Sequence, residues 1–200
     1  MAYIGQGLVS TSADNTVGTS AIEDGAVTAA KLASGVGGKI LQVVSTTKTD
    51  TFTASSLSGN GTVDITGLSV AITPAATSSK ILIIYSVHGS QDQANRQSNF
   101  ALRLLRGSTD ISLADAASNR FRVTSVFTVN ASDDDNATSN IAGNFLDSPS
   151  TTDATTYKLQ IANLSSSSRN IHINRTNGDA DDSNYRPRST STITAIEVAA

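Results

Sequence analysis

The 200-residue chain has few side chains able to do chemistry. Its two histidines are His88 and His172, and it has no cysteine. A histidine-based zinc site needs several ligands, and neither an H-x-H nor an H-E-x-x-H spacing occurs. Both histidines are expected to be ordinary sheet-edge or interface residues. The lack of cysteine excludes a thiolate nucleophile, a disulfide framework and a thiolate metal site. Carboxylates gather twice, at Asp133, Asp134 and Asp135 and at Asp179, Asp181 and Asp182. Bunched carboxylates can bind calcium, but the EF-hand spacing and its closing glutamate are missing. A carboxylate pair could hydrolyse a glycosidic bond only if held rigidly at a set separation. These clusters sit in polar, loop-like sequence and are expected to be solvated. The long repeated coils of a β-helix are also absent. No enzymatic activity and no cofactor are expected. What remains is contact chemistry. Tyr185-Arg186-Pro187-Arg188, with Arg175, combines an aromatic ring with guanidinium groups, the types that carry interface energy. They could touch a receptor sugar or a neighbouring subunit, or Tyr185 could pack at the base of its loop. Asn136, Asn163 and Asn174 each head an N-x-S/T triplet, which the abundance of these residues explains by chance.

The framework that must position these groups reads as β structure. Charged residues make up 16% and aromatic residues 4% of the chain, while serine and threonine supply about a quarter, well above ordinary usage. Threonine is β-branched and suits a pleated surface. The organising stretch is residues 64–89. Leu68, Val70 and Ile72 alternate with Ser69, Ala71 and Thr73, the period of a half-buried strand. Pro74 has no N–H for a ladder and ends it. After a turn, Ile81, Leu82, Ile83, Ile84 and Tyr85 form the one nearly unbroken apolar run, expected to be a central strand covered on both faces. Alternation recurs in residues 40–45, around Phe52, and at Phe100, Leu102 and Leu104. It returns over residues 121–129 and 141–146, at Tyr157, Leu159 and Ile161, at Ile171 and Ile173, and over residues 192–198. Residues 55–62, 89–99, 130–140 and 177–187 read as turns or polar loops. About eight to eleven short strands, with no helix of two turns, predict an all-β, jelly-roll-like β-sandwich over residues 39–200.

Composition also limits partners. A net charge of −3 argues against duplex nucleic acid and anionic membranes, which need a basic face. No apolar stretch approaches the roughly 20 residues of a membrane span, so no membrane insertion is expected. The opening MAYIGQGLVS lacks the positive start and apolar core of a secretory signal.

Residues 1–38 differ from the rest. They are glycine-spaced and polar, with sparse apolar residues at Tyr3, Ile4, Leu8, Ile22, Val27 and Leu32. Such a segment cannot build its own core. Two states are open to it: a disordered tail, or an extended arm gripped by a partner or by sibling chains. Ile22, Val27 and Leu32 recur every five residues, which fits neither a helix nor a strand. Thr28 could cap one short helical turn that Gly35 ends.

The block Ile22-Glu23-Asp24-Gly25-Ala26-Val27-Thr28-Ala29-Ala30-Lys31-Leu32 resembles a motif of phage fibre proteins, found near the N-terminus or along a thin trimeric shaft. The KILQVVST of residues 39–46 and the STITAIEV of residues 191–198 are similar in texture to virion proteins of marine and cyanobacterial phages, where they open and close a β head. The resemblance implies a homotrimer in the virion, made in a bacterial cytoplasm. The arm, through Tyr3, Ile4, Leu8, Ile22, Val27 and Leu32, would then hold three chains together on tail adaptor or hub proteins. The outermost head would face a host-surface glycan through Gln91, Asp92, Arg96, Asp134, Asp135, Asp181, Tyr185 and Arg186. A capsid decoration or head-fibre protein bound to capsid proteins is the alternative expectation. Trimerisation would also cover the edge strands that a sandwich exposes.

Overall fold

The computed structural model describes residues 39–92, 98–129, 136–181 and 184–200. Among these residues there are eleven strands and no helix. One sheet places β1 (Ile40–Lys48) beside β11 (Ser191–Val198), and β11 beside β4 (Lys80–Gln91). Most of β4 then pairs with β8 (Ser139–Asp147). On its other edge, beyond the end of β11, its last residues pair with β10 (Arg169–Ile173), which carries β2 (Phe52–Leu57) on its far side. The second sheet runs β3 (Thr62–Ile72), β9 (Thr155–Asn163), β5 (Ser98–Arg106), and β5 also pairs with β7 (Ser125–Val129) and the short β6 (Thr109–Asp110). All these pairings are antiparallel. Leaving aside β2, β6 and β10, the strands taken in chain order lie first-eighth-third-sixth in one sheet and second-seventh-fourth-fifth in the other. That interleaving of two Greek keys is a jelly roll.

Period-two sequence makes the core. Ile81, Ile83, Tyr85 and Val87 of β4 face Phe100, Leu102 and Leu104 of β5 and Tyr157, Leu159 and Ile161 of β9, all buried. Phe100 and Phe127 are register partners, and their rings stack with centroids 4.1 Å apart. Leu68, Val70 and Ile72 point inward as their spacing predicts. A bulge with Gly67 at φ 81° lets Ile65 point inward as well, out of phase with them.

Four sequence expectations need correction. The apolar run of β4 is not covered on both faces: Ile84 is 43% exposed, because the opposing sheet covers only one side and nothing described lies over the other. Residues 89–99 are not one loop. β4 continues to Gln91 because β10 supplies ladder partners for Gly89, Ser90 and Gln91. Gly89 is needed there, since a Cβ would come within 2.9 Å of both His172 O and Phe100 Cζ. Residues 55–57 belong to β2, and only the turn closed by Gly61 N–H to Ser58 O, 2.9 Å, remains irregular. The strand expected from Phe121 starts only at Ser125, and Phe121 is exposed.

Candidate contact surface

The strand directions bring the flanks of the three stretches that carry the expected contact residues, 89–99, 130–140 and 177–187, to one end of the sandwich. Gln91 pairs with Ile171, Gly89 with both Ser139 and Ile173, and Ser98 with Val129. The opposite end holds Lys39: Ile40 and Lys80 both pair with Val198, Ile81 pairs with Asp147, and Ala199 N–H donates to Lys39 O at 2.7 Å. The head is therefore polar, with its first residue at one end and the three loops at the other.

Residues 174–181 and 184–190 form the best-described part of the loop end. Asn174 is fully buried at φ 62°, a left-handed conformation that asparagine tolerates. Its Nδ2 donates to Lys48 O and Asp50 O, each at 2.9 Å, and its Oδ1 accepts from the Ser191 hydroxyl at 2.6 Å. This clasp fixes the start of the loop to β11 and to the β1–β2 turn. Asp179 then bridges Arg175 and Arg188, each at 2.6 Å. Arg186 Nε donates to Asn136 Oδ1 at 2.9 Å, and its guanidinium lies so close to Gly178 that a Cβ there would sit 2.9 Å from Cζ. Tyr185 and Asp181 project outward, Tyr185 being 78% exposed. Of the predicted contact residues, the structure thus brings Asp181, Tyr185 and Arg186 onto one loop. The outward placement of Tyr185 sets aside the reading in which it packs at the loop base.

Gln91 is a correction. It is 2% exposed and paired in β4, so its side chain is not available at the surface. Asp92 is half-buried, its N–H donating to Asn170 O at 2.9 Å. Arg96, Asp134 and Asp135 lie outside the described residues, as do Tyr3, Ile4, Leu8, Ile22, Val27 and Leu32.

His172 lies on the outer face of its sheet yet is only 4% exposed, with Arg175 and Asn177 closing over it. Thr53 Oγ1 lies 3.1 Å from its Nδ1, the contact a hydroxyl nucleophile would need. The same nitrogen accepts from Arg175 Nη2 at 2.8 Å, and Nε2 faces Asn177 Oδ1 at 3.1 Å. The base lone pair is thus already occupied by a guanidinium, and no carboxylate orients the ring. Burial, and then the neighbouring Arg175 charge, hold the imidazole below its usual pKa range. This is a neutral structural histidine within the clasp. Its placement under a loop was not predicted. His88 lies within β4, its N–H donating to Ser191 Oγ at 3.0 Å. Among the described residues no three His, Cys, Asp or Glu side chains converge as a metal site.

Sequence reasoning missed the buried polar anchors. Asn163 donates to Leu57 O at 2.8 Å, Ser58 O at 3.2 Å and Ser167 O at 2.8 Å. Asp147 accepts from the Tyr157 hydroxyl at 2.7 Å and from Arg106 at 2.8 Å. Glu197 accepts from Gln42 at 2.6 Å and from the Ala75 amide at 2.7 Å. The signal available was an isolated polar residue on an inward phase, as with Glu197 between Ala195 and the chain end.

No family model and no curated protein sequence matches the chain. Among solved structures it is similar to one of the infectious bursal disease virus Gx strain, at 18% identity and a TM-score of 0.37, over 80% of this chain and 38% of that one. It is also similar to the VP2 subviral particle of infectious bursal disease virus, at 16% identity and a TM-score of 0.33, over 79% of this chain and 41% of that one. The chain spans less than half the length of either, and a likeness at this level carries no function across.

Proposed function

We propose that the chain is a non-enzymatic structural protein of a phage virion, a short trimeric tail fibre. Residues 1–38 anchor three copies on the tail, and the jelly-roll heads meet the host surface. The observation that carries this reading is the polarity of the head, with Lys39 at one end and the candidate contact loops at the other. The resemblance of residues 22–32 to phage fibre motifs supports the anchoring role. Engagement of the buried histidine and of Asp179 within the clasp supports a contact surface in place of a reactive one. Recognition rests on Asp181, Tyr185 and the neighbouring loop residues Asp92, Arg96, Asp134 and Asp135, with Arg186 holding the loop in shape. Each head binds weakly, and three heads on one fibre multiply the effect.

The test is Tyr185→Ala in the phage. If the exposed ring contributes about 1 kcal/mol per head, three engaged heads lose about 3 kcal/mol, a drop of about a hundredfold in avidity. Virions of normal composition with slowed adsorption are the expected outcome. Unchanged adsorption after exchanging residues 177–187 for those of a relative would remove the recognition role. Antibody labelling of the shell and not the tail would replace the tail fibre with a capsid-bound head fibre.

A further inference from the structure

The two sheets meet water very differently. The outer face of β3, β9 and β5 carries Asp64 bonded to Lys158 and Gln160, each at 2.7 Å, and an Arg103–Asp110 ion pair. The outer face of the other sheet has two halves. Towards the loop end, Arg175 and Asn177 lie against it, and Ser90 and His172 are buried. Towards the Lys39 end, the register lines up Val43, Ile196, Leu82 and Leu146 in one row across β1, β11, β4 and β8. Val43 is 57% and Leu146 54% exposed, with Leu41 and Ile84 beside the row. Nothing among the described residues covers this half.

We infer that this half-face is where copies of the chain pack against one another. The inference deepens the trimer reading above and rests on it. Three observations select a second copy as the occupant. First, the face is nearly uncharged: Lys80 stands at its edge, with its ammonium bonded to Ser148 Oγ at 2.7 Å. Such a face gives a charged partner nothing to pair with, and it meets its own copy without like-charge repulsion. Second, four of its polar side chains are already paired with one another, while Asn144 beside Ile84 is exposed at the rim strand β8. Ser45 and Thr194 hydroxyls bond at 2.8 Å, and Asn140 Nδ2 donates to Ser86 Oγ at 2.9 Å. These four can leave water without being left unsatisfied. Third, strands at about 4.8 Å spacing and four rows of side chains at about 6.8 Å give on the order of 500 Å² of flat surface. Three such faces meeting about one threefold axis carry on the order of 1,500 Å² in all, the size of a standard interface.

The experiment measures the mass of the full chain by sedimentation equilibrium, with circular dichroism to confirm the fold. The parent is expected at three times its 20.6 kDa monomer mass. Val43→Glu/Leu146→Glu, at two exposed positions, is expected at the monomer mass with an unchanged spectrum. A variant that keeps the parent mass overturns this interface and leaves the trimer standing. Faster proteolysis within residues 1–38 at unchanged mass would mean that the chain's own arm covers the face, and would also overturn it. A parent at monomer mass overturns both the interface and the trimer. Should the double variant misfold, Leu146→Cys gives the cysteine-free chain a single thiol. Protection of that thiol from a bulky maleimide in the assembled chain, lost on dilution to monomer, supports the interface. Equal reactivity at both concentrations overturns it.

Discussion

Replacing Asn174 tests whether a single buried amide holds the loop end together. Asn174→Gly keeps the left-handed backbone that the position needs and removes only the side-chain bonds. Three partners lose their contact: Lys48 O, Asp50 O and the Ser191 hydroxyl. The Asp50 side chain is 77% exposed, and its carbonyl can turn to water. The bonds to Lys48 O and the Ser191 hydroxyl are buried, and an unsatisfied buried group costs about 1–3 kcal/mol. The expected loss is therefore about 2–6 kcal/mol, a large share of the roughly 5–15 kcal/mol that holds a domain folded. Asn174→Ala adds about 1 kcal/mol or more, since a Cβ disfavours positive φ. The assay is urea denaturation of parent and both variants at one chain concentration, because self-association shifts the midpoint. An accompanying rise in proteolysis within residues 177–187 locates the loosening. A glycine variant within about 0.5 kcal/mol of the parent would refute the clasp. An alanine variant equal to the glycine variant would refute the backbone strain.

Gly143 is the partner of Tyr85 across β4 and β8, and a Cβ there would lie 2.4 Å from the tyrosine oxygen. Gly143→Ala must therefore displace a buried ring and break its 2.8 Å bond to Ser125. A loss of about 1–3 kcal/mol by thermal melting is expected, with partial recovery when Tyr85→Leu is added. An unshifted melting temperature would refute the close packing. Acid should destabilise the chain in two steps. His172 has a lowered folded pKa, so the unfolded chain takes up its proton first; stability is full above about pH 6.5 and falls as pH drops below it. For Glu197, burial opposes the charge, but hydrogen bonds from Ser79, Gln42 and the Ala75 amide outweigh it and hold the carboxyl below its usual range. Its contribution is present above the ordinary glutamate pKa and is lost as pH falls through the lower folded value. Denaturation midpoints against pH should lose the upper step in His172→Gln and show a smaller lower step in Glu197→Gln, since Asp64, bonded to Lys158 and Gln160, also titrates below its usual range. A profile unchanged by both would refute these assignments.

Legibility in the sequence followed the physics of each signal. Period-two patterns report local geometry, so Leu68, Val70, Ile72, Tyr157, Leu159 and Ile161 declared their inward phase without tertiary information. The Ile81–Tyr85 run could not declare its exposed side, because five apolar residues in a row carry no phase. Polar Ser90 and Gln91 read as loop because the strand that pairs with them, β10, arrives about eighty residues later. Asn163 and Asn174 read as chance glycosylation triplets, yet both are fully buried and bonded to carbonyls from distant turns. Nothing in a triplet announces such partners. Tyr185 and Asp181, read as outward loop residues, are exposed, while the burial of Gln91 depended on a nonlocal ladder.

On the proposed reading, recognition and assembly fall on separate parts of this head. Tyr185 belongs to a loop fixed by its own bonds to β11, to the β1–β2 turn and to Asn136, none of which involves the Val43–Ile196–Leu82–Leu146 row. Sites without shared partners act additively, so a change in one should leave the other's free energy intact. Yet avidity multiplies the contribution of each head by the number held together. Tyr185→Ala should then lower adsorption at constant mass. Val43→Glu/Leu146→Glu should lower mass, and adsorption with it, although the loop is untouched. A glutamate variant that becomes monomeric and still adsorbs like the parent would show that one head suffices, and the multivalent account of binding would fall while the interface stood.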